Sequence, residues 1–233
     1  MTKREGSGTV HQLFLKAGKE PMFDLSSTIQ DLAIRIPVFL LALTLHEFAH
    51  GWVANRLGDP TARLQGRLTL NPLSHLDIIG TVAIVLIGFG WAKPVPVDAR
   101  YLRRPRQDMV LIAAAGPVIN LVLAVVVAFC YRTIPWGGMS LEWAWFIVPL
   151  RAMLRTAVWV NVLLAIFNLL PIPPLDGSRV VSGFSPLRQA IGYSRLEPYG
   201  FVIIFLLFFS GIMDPFFGPA VRGVTLALFR MWG

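Results

Sequence analysis

Hydrophobic positions along the chain fall into long runs broken by short polar loops, and the runs have the length of bilayer spans rather than of core helices. The first, Ile34 to Val53, covers twenty residues. At 1.5 Å per residue a helix over that stretch just crosses ~30 Å of hydrocarbon. Ile78 to Gly90 is also apolar but too short for a full span, and predicts a short or re-entrant helix. Met109 to Tyr131 opens with the small-residue stretch AAAGP, which lets helices pack closely. A third span, Thr156 to Leu170, stops at PIPPLDG, where prolines deny backbone donors to any continuing helix. Two last runs, Phe201 to Met213 and Phe217 to Met231, predict a closing hairpin with its turn at Asp214-Pro215.

Between the short run and the second span lies GWAKPVPVDARYLRRPRQD. Its alternating prolines and valines, Pro94 to Val97, predict an extended strand, and prolines confine such a strand to an edge. The pattern as a whole predicts an all-α polytopic membrane protein, with about five to six transmembrane or re-entrant helices and a short membrane-associated β element. Residues 1–30 predict a polar N-terminal extension, without the apolar core or cleavage site of a signal peptide, and residues 31–233 a single intramembrane domain.

Composition agrees with this pattern. Of 233 residues, 55% are hydrophobic and only 15% charged, too few for the mixed surface of a separate soluble domain. The formal charge of +8 raises nucleic acid as a partner. The basic residues, however, cluster beside apolar segments: Arg56, Arg63, Arg67, Lys93, Arg100, Arg103, Arg104 and Arg106 all lie between the first span and the second. That distribution fits the positive-inside rule, so the expected partner is the lipid bilayer and not nucleic acid. Loop 54–108 carries eight basic residues and loop 177–198 three, against two in the 131–154 connection. The bias predicts both basic loops in the cytoplasm, provided Ile78 to Gly90 does not cross, and brings the polar ends of the first and third spans together near that face. The lone Cys130 makes no internal disulfide and is expected as a small buried apolar side chain.

Ionisable groups inside a span are costly, which makes HEFAH at 46–50 the most informative stretch of the chain. His46 and His50, four residues apart, share a helix face and can bind one metal. Glu47 lies about 100° round the helix and can reach a metal-bound water. The alternative, core histidines satisfied by neighbouring carbonyls, leaves three clustered ionisable side chains unexplained. A catalytic zinc takes three protein ligands and keeps a fourth position for water. His11 in the polar extension, His75 after NPLS in a loop, and Asp176 in PIPPLDG are the candidates for the third. Asp176 fits best, at the proline-broken end of a span; its alternative is an Asx turn ahead of Gly177. His75 is expected to be an ordinary surface histidine.

These residues resemble the site-2 proteases, zinc metalloproteases that cut within the membrane. HEFAH is similar to that family's zinc helix, and NLLPIPPLDG at 168–177 to its NxxPxPxLDG motif. GPVIN at 116–120 and NPLSHLD at 71–77 resemble segments of the compact subgroup that lacks a PDZ domain, and the likeness runs from about residue 31 to the end. It implies one Zn2+ per chain held by His46, His50 and Asp176, with Glu47 as general base. It also implies that Asn168 orients the substrate carbonyl or stabilises its oxyanion, where a helix-packing hydrogen bond is the alternative. Asn120 is similar, with helix packing and substrate positioning equally open.

The activity implied is an intramembrane zinc-dependent endopeptidase that hydrolyses peptide bonds in or near transmembrane segments. The substrate is a membrane protein or transmembrane peptide, and the setting a bacterial or archaeal cell membrane with the active site near the cytoplasmic face. A spanning substrate must unwind locally, and the Lys93 to Val97 strand is placed to pair with it. Two other classes compete. A silent adaptor or chaperone of the same fold should have lost Glu47 or a ligand, and neither is lost. A metal transporter more often carries matched broken helices in both halves, whereas only one proline-broken segment is present.

Overall fold

The structure, a computed structural model, describes residues 25–80, 91–136 and 141–231. Helix α1 runs Leu25–Leu57, α2 Pro105–Thr133, α3 Ala144–Asn168, α4 Asp176–Phe184, α5 Leu187–Ser194, α6 Gly200–Phe209 and α7 Asp214–Arg230. Four stretches are long and apolar enough to cross a membrane: Ile29–Leu57, Pro105–Thr133, Ala144–Asn168 and Leu187–Phe209. The last joins α5 and α6 through a 3-10 turn. At 17 residues α7 is shorter than a full span. Among the described residues four stretches thus have the length and apolarity of a span, against about five to six spanning or re-entrant helices expected. Most of the expected element Ile78 to Gly90, residues 81–90, lies outside the described residues, as does His11.

The spans pack through small residues. Ala124 and Ala128, one turn apart on α2, meet Val158 and Val162 of α3 and Phe217, Val221 and Leu228 of α7 in one buried cluster. Alanine at such positions lets helix backbones approach where no water drives association. Val38 and Ala42 of α1 pack on Val160 and Leu164 of α3, and Ala54 of α1 on Ile112 of α2. Thus α1, α2 and α3 form a three-helix core, while α4 lies against α2. The opposite face of α2, with Val118, Val122, Val126 and Phe129, is exposed, as an apolar face turned to lipid requires. Cys130 continues that face four residues after Val126 and is exposed, not buried as its apolar neighbours suggested.

Several expected elements change. Helix α3 begins at Ala144 rather than Thr156, because Arg151 and Arg155 interrupt the apolar run without interrupting the helix. The Arg151 guanidinium lies over the rings of Tyr131 and Trp136, so its stem covers apolar surface while its charge stays at the span's end. Asp214-Pro215 is not a turn but the start of α7, with proline in the first helical turn, where its missing N–H costs nothing. The predicted strand Pro94 to Val97 belongs to no sheet among the described residues. Pairing there reduces to one antiparallel bridge, Leu76 to Ala92, because Pro94 and Pro96 remove alternate donors.

The 91–103 loop is nonetheless tightly held. Arg67 Nη2 donates to the carbonyls of Lys93 at 2.7 Å and Pro94 at 3.2 Å, and the Lys93 N–H donates to the His75 carbonyl at 2.9 Å. Fully buried Asp59 accepts from the Asp98 N–H at 2.7 Å and from the Thr61 N–H at 2.9 Å. Hydrogen bonds from Arg100 to the Asp98 carboxylate hold that group down at about 2.

Candidate metal centre

The HEFAH stretch lies on α1, about two turns before the helix ends at Leu57. The helical repeat turns His46 and His50 toward α2 and α4, and both are buried. Their Nε2 atoms are 3.0 Å apart. Asp176 reaches the same point from the first turn of α4, with its Oδ2 3.2 Å from His46 Nε2 and 3.3 Å from His50 Nε2. Gly177 makes this placement possible. A Cβ there would collide with the Leu169 and Leu170 carbonyls, so only glycine lets α4 start so close beneath the end of α3.

The outer ring nitrogens fix the tautomers. His46 Nδ1 is 2.5 Å from Asn120 Oδ1, and His50 Nδ1 is 2.7 Å from the Ile112 carbonyl, both on α2. A carbonyl can only accept, so His50 carries its proton on Nδ1. Asn120 is oriented in turn, because its Nδ2 donates to Asn161 Oδ1 at 2.8 Å and to the Ala42 carbonyl at 3.3 Å, while Asn161 Nδ2 donates to the Ala157 carbonyl. The Asn120 oxygen therefore faces His46 as an acceptor. Both inner Nε2 atoms then present lone pairs to each other and to Asp176 Oδ2, a buried atom that accepts no hydrogen bond.

Three buried acceptors converging with no donor between them repel one another, and a cation removes the conflict. Ligand atoms on a tetrahedral zinc at 2.0–2.1 Å sit about 3.3 Å apart, and the observed separations approach that value. The residues fit the metal. Among the described residues this is the group of histidine, cysteine and carboxylate side chains able to hold one ion.

Gly116 of GPVIN explains how α2 comes near enough to support both rings. A Cβ on Gly116 would lie 2.5 Å from His46 Cε1 and Nε2 and closer still to His50 Nε2. Glu47, about 100° round α1 from His46, accepts from the Val95 N–H through its Oε2 at 2.9 Å in a buried contact. The general-base candidate is thus held by the segment that follows Lys93.

The remaining candidates fall elsewhere. Asn168 ends α3, half-buried, with its Nδ2 donating to the Leu164 carbonyl one turn back. His75 is not a surface residue: it is 1% exposed, with Nε2 donating to the Thr69 carbonyl at 2.9 Å, because the NPLS turn folds it under the loop. It stands outside the metal group. The reading from sequence missed Asn161 and Val95 and left Asn120 undecided. GPVIN was visible as a motif, but nothing in it marks Asn120 as the partner of a histidine 74 positions earlier.

Comparison with known proteins follows the same residues. The chain is 43% identical over 169 residues to "Putative zinc metalloprotease YwhC" of Bacillus subtilis (strain 168), covering 72% of this chain and 77% of that protein. It is 29% identical over 77% of its length to Rip2 of Mycolicibacterium smegmatis (strain ATCC 700084 / mc(2)155), and 28% identical over 88% to Rip2 of Mycobacterium tuberculosis (strain ATCC 25618 / H37Rv), covering 68% and 79% of those proteins. Both carry the same description as YwhC. No solved structure matches the chain. The pattern of peptidase family M50 matches residues 35–140 and 144–211, a range holding His46, Glu47, His50 and Asp176, and the chain belongs to that family, the site-2 proteases.

Proposed function

We propose that residues 31–233 form an intramembrane zinc endopeptidase that cuts membrane-protein substrates in or near their spans, close to the cytoplasmic face. The observation that carries this reading is the convergence of His46 Nε2, His50 Nε2 and Asp176 Oδ2 within 3.3 Å, the two histidines on a helix long and apolar enough to span a bilayer. Zinc bound there would supply a Lewis acid that acidifies water and polarises a peptide carbonyl. His46, His50 and Asp176 would hold it, and the carboxylate would lower the net charge kept near lipid.

Glu47 is the general base. One helical position from His46, it takes the proton from the attacking water and returns it to the leaving amine. The Val95 N–H orients its carboxylate and stabilises the ionised form that accepts a proton. Asn168 keeps one amide N–H beyond its bond to Leu164, the donor needed to orient a substrate carbonyl.

A helical substrate engages its own carbonyls, so cleavage requires local unwinding. Arg67, His75 and Glu47 hold the segment from Lys93 to Val95 in place, and an unwound substrate can pair along the Lys93 to Val97 edge. Reconstituted protein should cut a single-span reporter inside or beside its apolar segment. Replacing 94–97 with a Gly-Ser stretch should abolish cleavage of that reporter while leaving zinc bound. Cleavage confined to soluble peptides, or undiminished by the replacement, would refute this mode.

A further inference from the structure

We propose that an open cavity of about 270 Å3, where α1 ends and α2 begins, binds the phosphate of an anionic membrane lipid. Arg56, Leu57, Gly58, Arg103, Arg104 and Asp108 line it. It is remote in role from the metal centre and shares no residue with it.

One span closes at Leu57 and the next opens at Pro105, so residues on both rims stand where two helices leave the bilayer on one side. That is headgroup depth. Trp52, a turn before Arg56, is 45% exposed, and the Arg56 guanidinium lies 5.0 Å from its ring. An interfacial tryptophan beneath an arginine marks the same boundary.

Asp108 is buried and already engaged, accepting from the Arg104 N–H at 2.8 Å with the Arg104 Nε 3.9 Å from its other oxygen. Arg104 is therefore balanced within the fold. Among the described residues, neither Arg56 nor Arg103 has a carboxylate within 4.0 Å. Two arginines without counter-ions thus line one concave space. Their fork geometry matches phosphate oxygens in pairs, and basic pockets between spans are a recurrent headgroup site. A zwitterionic headgroup would bring its own cation into the cavity and lose most of that attraction. An occupied cavity ties the end of α1 to the start of α2, the two helices joined deeper down by His50 and Ile112.

The test uses the purified full chain in detergent, titrated with dioctanoyl phosphatidylglycerol, dioctanoyl phosphatidylcholine and inorganic phosphate, with binding read by thermophoresis. Saturable binding of phosphatidylglycerol is expected, weakened about fivefold by Arg56→Gln or Arg103→Gln alone and further by both. Arg188→Gln, on α5 and outside the cavity lining, should leave it unchanged. Thermal midpoint and zinc content report whether each variant stays folded. If the double glutamine variant does not, the lysine pair, which keeps charge but not the fork, should still bind more weakly than wild type. Equal affinity for both lipids, equal affinity for phosphate alone, or no loss in folded variants would each overturn the proposal.

Discussion

His46 Nδ1 and Asn120 Oδ1 lie 2.5 Å apart across the α1–α2 interface, and this contact sets which nitrogen of His46 faces the metal position. Support of this kind typically contributes one to two orders of magnitude in metal affinity. Asn120→Ala should therefore weaken zinc binding about 10- to 100-fold in competition with a chromophoric chelator. Asn161→Ala removes only the group that orients Asn120, so it should act in the same direction with a smaller effect.

Gly116→Ala places a methyl group on the two Nε2 atoms. Alanine is the better helix former by about 1 kcal/mol, so α2 itself is not weakened and the clash falls on the two rings. The expected outcome is loss of bound zinc and of cleavage with helical content retained, measured by metal analysis and circular dichroism on the same sample.

The Val95 N–H is the donor on Glu47, and Val95 already stands between two prolines. Val95→Pro deletes that donor with little change in backbone preference. A lost hydrogen bond to a charged group of about 1.5–3 kcal/mol corresponds to at least about a tenfold fall in kcat. Zinc content should not change, whereas Val95→Ala, which keeps the N–H, should stay near wild-type kcat.

Asp176 supplies the third converging atom from a different helix. Asp176→Ala leaves two histidines and should release zinc at chelator concentrations that wild type withstands. Removing zinc from wild type should abolish cleavage, and restoring it should recover activity.

How much of this was legible in the sequence follows from the range of each interaction. His46 and His50 are one helical turn apart, so their shared face could be read from spacing alone. Asp176 was found through the proline break beside it, a local signal for an irregular backbone. The partners on α2 and α3 had no local signal, because Asn120 and Ile112 meet the histidines, and Asn161 meets Asn120, only through helix packing across 41 to 74 positions. The Val95 donor is a backbone group and leaves no mark in residue type. Hydropathy located the spans but misplaced the start of α3, where arginines sit within an unbroken helix, and read Asp214-Pro215 as a turn because a proline at a helix start looks the same as one between helices.

The central claim is that Glu47 acts as base beside a zinc held by His46, His50 and Asp176. It is tested most directly by measuring zinc per chain and reporter cleavage on matched samples of wild type and Glu47→Gln. The account predicts one zinc in both proteins and a fall of about 100- to 10,000-fold in the cleavage rate of the variant. Equal cleavage by both proteins at equal zinc, or hydrolysis by wild type stripped of zinc, would contradict it.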